Sequence, residues 1–108
     1  MPTKALTAGT PATTTIKFAG QGAGYTFAAT KNKNVTFNVT HFSFTNQGSG
    51  GEVFLDFYEP DSSSIYTQCN NGVVGNTTCS VKPPVGGTWS VRLFPYQASV
   101  GSLTLERT

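Results

Sequence analysis

The chain has 108 residues, long enough for one hydrophobic core and too short for two. Only 11% of its residues are charged, against about 25% in an average soluble protein, and 17 threonines lead the polar residues. The net charge of +2 is too small and scattered for a nucleic-acid surface, and no run of about 18 apolar residues offers a membrane helix.

Residues 1–12 are small, polar and proline-bearing and read as a linker or tail, leaving 13–108 as the domain. Met1-Pro2-Thr3-Lys4 lacks the charged-then-apolar plan of an export signal, so a secreted protein would be represented here by a segment of a longer precursor. Thr13 to Phe18 alternates, with Ile16 and Phe18 expected on one face. Ala19 to Gly24 has the wrong spacing for a nucleotide-binding G-x-G-x-x-G and reads as a hairpin turn. Tyr25, Phe27 and Ala29 form the next apolar face.

Asn34 to Phe44 alternates through Val35, Phe37 and Val39, then changes phase to Phe42 and Phe44. Such a slip predicts a β-bulge, or a strand crossing between sheets, with His41 at the pivot. After a loop at Asn46 to Gly51, Glu52 to Tyr58 sets Val53, Leu55 and Phe57 against Phe54, Asp56 and Tyr58. "EPDSSS" is a turn, Ser64 to Cys69 and Thr77 to Lys82 are short strands, and "PPVGG" is another turn. Thr88 to Phe94 turns Trp89, Val91 and Leu93 inward, and Gly101 to Glu106 closes with Leu103 and Leu105. About eight short strands separated by turns, with no helical period, predict an antiparallel β-sandwich.

The two cysteines, Cys69 and Cys79, match neither a zinc ligand set nor a C-x-x-C redox motif. Near the ends of neighbouring strands of a secreted β-domain they are expected to pair as a disulfide, with two free thiols as the alternative. The stretches "YTQCNNGVVGNTTCSV" and "GGTWSVRLFPYQASVGSLTL" resemble the bacterial pre-peptidase C-terminal domain family. The matching pieces are Leu55 and Phe57, Cys69 and Cys79, Gly87-Thr88-Trp89 through Leu93, Tyr96, and Gly101 through Leu105; the resemblance spans Ile16 to Leu105. It implies a small jelly-roll-like sandwich appended to a secreted bacterial hydrolase, often a peptidase. Such a domain is non-catalytic and assists secretion, or holds the enzyme on an insoluble polymer, protein or polysaccharide. The chain departs from the family in carrying Phe54 where an acid is common, its own acid being Asp56. It also lacks any acid from Pro2 to Thr15, where calcium-binding relatives draw ligands from the linker.

No catalytic constellation is read, because the sole histidine, His41, lies within a strand and no nucleophile elbow is present. Asp56, Glu59 and Asp61 are the one acid set offered to a hard cation such as calcium, against the plainer reading of a turn capped by Asp61. No other cofactor is expected. For ligand binding, Ser90, Arg92 and Phe94 oppose the core side of their strand. If Tyr58 and Tyr66 share their face, then Tyr58, Tyr66, Arg92, Phe94 and Tyr96 make an aromatic strip suited to sugar rings or polymer surfaces. The expected protein is therefore a secreted, monomeric accessory module with an insoluble polymer as partner. The alternatives are a carbohydrate-binding module of a polysaccharide-degrading enzyme, or a structural repeat of a surface protein. The sequons at Asn34, Asn38 and Asn76 follow from threonine- and asparagine-rich composition.

Overall fold

A computed structural model describes residues 3–18, 21–46 and 49–108. Among the described residues ten strands run in chain order: β1 (Thr3–Ala5), β2 (Ala12–Ile16), β3 (Ala23–Ala29), β4 (Val35–Asn46), β5 (Ser49–Gly50), β6 (Val53–Tyr58), β7 (Ile65–Gln68), β8 (Thr77–Val81), β9 (Gly87–Pro95) and β10 (Val100–Arg107). One sheet has the order β1-β3-β9-β6-β7; the other has β2-β10-β4-β5, with β8 also on β4. All neighbouring strands are antiparallel except β1 and β3, which are parallel. The eight expected strands are all present, and β1 and β5 are additional.

The sandwich closes because both inner faces are apolar at every second residue. Tyr25, Phe27, Val53, Leu55, Phe57, Trp89, Val91 and Leu93 from the first sheet meet Ile16, Val35, Phe37, Val39, Phe44, Leu103 and Leu105 from the second, all buried. Phe37 lies between the layers, with its ring centroid 5.0 Å from both Phe27 and Phe57. Each such ring, fully buried, contributes about 1.5–3 kcal/mol. Trp89 is fully enclosed, and its indole N–H donates to the Val85 carbonyl at 3.0 Å.

The change of phase in β4 is a β-bulge. Ser43 faces Ser102 and Thr40 faces Thr104, so Leu103 answers two residues, His41 and Phe42. His41 takes the extra position with φ of 51°, and the buried side moves from Val39 to Phe44.

Three expectations are corrected. The tail is not a detached linker: Lys4 pairs with Tyr25 in β1, Leu6 is buried, and its N–H donates to the Thr26 carbonyl at 2.8 Å. The glycine-rich segment does not close a hairpin, since β2 and β3 belong to different sheets; its residues Ala19 and Gly20 lie outside the described residues. Phe18 lies past the end of β2 and is exposed, because the inward alternation Ala12, Thr14, Ile16 stops with the strand.

The cysteines form a disulfide, with Cα atoms 5.6 Å apart. Cys69 follows β7 in the first sheet, while Cys79 lies within β8 in the second. The bond therefore joins the two layers at one flank rather than two paired strands.

Candidate binding face

Strands β6 and β9 lie side by side with Phe54 opposite Phe94, Asp56 opposite Arg92, and Tyr58 opposite Ser90. Because alternate residues of both strands fill the core, these six point outward from the first sheet. The outward face thus has an aromatic end, a charged middle and a second aromatic at the far end.

In the middle, β7 brings Gln68 opposite Asp56. The Gln68 side-chain amide donates to Asp56 Oδ1 at 2.7 Å. Asp56 is only 6% exposed, so this bond stabilises a carboxylate that burial would otherwise penalise. Arg92 extends along the face with its guanidinium carbon 4.7 Å from the centre of the Tyr58 ring. A cation–π contact near solvent contributes about 0.5–1 kcal/mol, and it explains why Tyr58 is covered while Arg92 stays exposed.

At the aromatic end, Phe54 meets Tyr96 edge-to-face, centroids 5.7 Å apart. Tyr96 comes from the turn between β9 and β10 and leaves 43% of its surface exposed. Tyr58, Arg92, Phe94 and Tyr96 are therefore brought to one face, as the alternation predicts. Phe54 belongs with them although the sequence reading did not count it as a ligand residue. Its place between Val53 and Leu55 was the available signal.

Tyr66 does not join them. Phe57 faces Thr67 and Tyr58 faces Ile65, leaving Tyr66 as an extra residue that breaks the alternation of β7. Its ring, 43% exposed, stands at 89° to that of the buried Trp89, centroids 5.2 Å apart. Its position in the strip is corrected accordingly.

The acid set also separates. Among the described residues no group of three or more His, Cys, Asp or Glu side chains gathers where a metal could be held. Asp56 is engaged by Gln68, and Asp61 sits in a turn with φ of 58° closed by the Ser62 N–H donating to the Glu59 carbonyl at 3.2 Å. "EPDSSS" is a turn, but its side-chain cap is Ser62, whose Oγ accepts from the Ser64 N–H at 3.2 Å, rather than Asp61, and Asp56, Glu59 and Asp61 do not gather as a calcium set among the described residues. His41 lies exposed in the bulge of the opposite sheet.

Clefts lined by described residues lie elsewhere. One of about 340 Å³ is lined by Lys33, Arg107 and their neighbours, and one of about 270 Å³ lies in the cysteine loop around Val73. In that loop Asn70 and Asn71 take left-handed backbone, and Gly72 has φ of 127° with Glu52 so close that a Cβ there would strike its carboxylate.

No protein-family model and no curated protein sequence matches the chain. Solved structures do. The pre-peptidase C-terminal domain of a collagenase from Bacillus anthracis superimposes with a TM-score of 0.67 at 16% identity, covering 99% of this chain and 95% of that one. The Aeromonas hydrophila periplasmic inhibitor of g-type lysozyme, PliG, does so with 0.57 at 12% identity, covering 99% and 100%. Its Salmonella Typhimurium counterpart gives 0.52 at 12% identity, with 98% of each chain covered. The architecture read from the motifs is thus that of a solved pre-peptidase C-terminal domain, and the same architecture occurs in lysozyme inhibitors.

Proposed function

We propose that this domain is a non-catalytic accessory module of a secreted bacterial hydrolase, and that it attaches its parent enzyme to an insoluble polymer through the outer face of β6 and β9. The observation that carries this reading is the gathering of Phe54, Phe94 and Tyr96 beside the Arg92–Tyr58 stack on one sheet face. Rings on a surface with few charges lie flat or edge-on against sugar rings or the side chains of a fibrous protein, and the neighbouring Arg92, Asp56 and Gln68 supply hydrogen bonds. Two further features support it: the fold shared with a collagenase's pre-peptidase C-terminal domain, and a disulfide of the kind that persists in oxidising compartments.

The test is depletion of the 108-residue protein from solution by suspended insoluble collagen, chitin and cellulose. At least one of them is expected to retain it, and Tyr96→Ala or Phe54→Ala to weaken retention about tenfold, the equivalent of roughly 1.4 kcal/mol, with little change in Tm. Retention on collagen fits a peptidase parent, and retention on chitin or cellulose fits the carbohydrate-binding alternative. No retention on any of the three, or retention indifferent to both substitutions, would reject this face as the attachment surface.

A further inference from the structure

We infer that Ser99 is a positioning residue that presets Tyr96 as the anchoring ring of the binding face, an inference that rests on the attachment reading above. Ser99 is completely buried although it is polar. A buried hydroxyl is unfavourable unless it is bonded, and this one is bonded twice. Its Oγ–H donates to the Tyr96 carbonyl at 2.7 Å, and its Oγ accepts from the Glu52 N–H at 3.3 Å. The Ser99 N–H donates to the same Tyr96 carbonyl at 3.1 Å, while the Tyr96 N–H donates to the Glu52 carbonyl at 2.7 Å.

Both backbone groups of Tyr96 are therefore held, one by the serine and the other by the residue that leads into β6. Gln97 completes the turn in left-handed backbone, φ 52°, and its side-chain amide reaches the Tyr96 hydroxyl at 3.4 Å. Phe54 stops the ring from one side. An aromatic on a two-strand turn would ordinarily be mobile. Here it is exposed at the ring and fixed at the backbone, which is the combination a stacking platform needs. Ordering one side chain before the ligand arrives is worth up to about a tenfold gain in affinity.

The decisive experiment is a double-substitution cycle on whichever of collagen, chitin or cellulose retains the protein. Ser99→Ala is expected to weaken retention three- to tenfold, and to have no further effect when Tyr96 is already alanine. An equal loss in both backgrounds would mean that Ser99 serves the fold generally, and the inference would fall while the attachment reading stood. A second readout needs no polymer: NMR of the Tyr96 ring protons. In the native protein they are expected to show the ring-current shift imposed by Phe54, collapsing toward random-coil values in Ser99→Ala while the Trp89 indole signal stays put. An unchanged Tyr96 spectrum would overturn the inference, even if no polymer retained the protein and the attachment reading had failed by itself. Should Ser99→Ala not fold, Ser99→Cys keeps a side chain of similar shape while replacing the hydroxyl by a weakly bonding thiol, and it is expected to give the same loss of shift; an unmoved shift there overturns the inference equally.

Discussion

Two single residues test how tightly the backbone and the core are determined. Gly101 stands between Ile16 of β2 and Phe44 of β4 with φ of 148°. A Cβ there would strike the Ser43 carbonyl oxygen and come within 2.8 Å of the Phe44 Cα, both rigid backbone. Gly101→Ala should therefore cost at least about 2 kcal/mol, read as a fall in the denaturant midpoint at unchanged slope. Tyr25 tests the core electrostatically. Burial pushes its hydroxyl above the ordinary tyrosine pKa of 10.0, because the apolar surroundings disfavour the phenolate. The folded state then holds its proton more tightly than the unfolded chain. This contribution is fully present below pH 10 and is lost as the pH rises through the higher folded-state value. Tm should fall above about pH 10, and Tyr25→Phe should flatten that fall; an identical alkaline profile in the variant would refute the assignment.

At the scale of elements, the disulfide matters for what it joins. The strands on either side of the cysteine loop belong to different sheets, so the bond ties the free flank of the sandwich where no ladder connects the layers. Closing a loop of this length is worth roughly 2.7 kcal/mol in the chain-entropy view. Cys69 and Val73 also bond to β6: the Cys69 N–H donates to the Leu55 carbonyl at 3.0 Å, and Val53 and Val73 exchange N–H···O bonds of 2.9 and 2.7 Å. Reduction should lower stability by about 2–4 kcal/mol and speed amide exchange at Cys69 and Val73 before it affects β9, measured by hydrogen exchange with and without reductant. Uniform acceleration over the whole molecule would mean that the bond stabilises no particular element.

At the scale of the whole molecule, nearly every ladder joins distant parts of the chain: β2 with β10, β3 with β9, and β6 with β9. Neither sheet can form without closing long loops, so folding should take milliseconds to seconds rather than microseconds. The shared aromatic core further requires that both sheets melt together. The single tryptophan, Trp89, is fully buried between them, so its fluorescence and the far-ultraviolet circular dichroism should report one coincident transition. Two separated transitions would show that the layers are independently stable.

What the chain alone determined is whatever repeats every second residue. The inward triplets Val53-Leu55-Phe57 and Trp89-Val91-Leu93 were legible because a pleated strand must send alternate side chains to opposite faces. The change of phase at His41 was legible for the same reason, while its being a bulge rather than a crossing between sheets was decided by the pairing with β10. Long-range pairing was not. Nothing in the order of residues says that β2 and β3 part to different sheets, that Lys4 and its neighbours dock beside β3, or that the cysteines bridge the layers. The outer face of β6 and β9 divides along the same line. Tyr58, Arg92 and Phe94 followed from alternation. Tyr66 is the extra residue in the pairing of β7 with β6, and Ser99 is bonded by Glu52, 47 residues away in sequence. Local periodicity is a property of the strand; register and clasp are properties of the pair, and only tertiary packing chooses the partner.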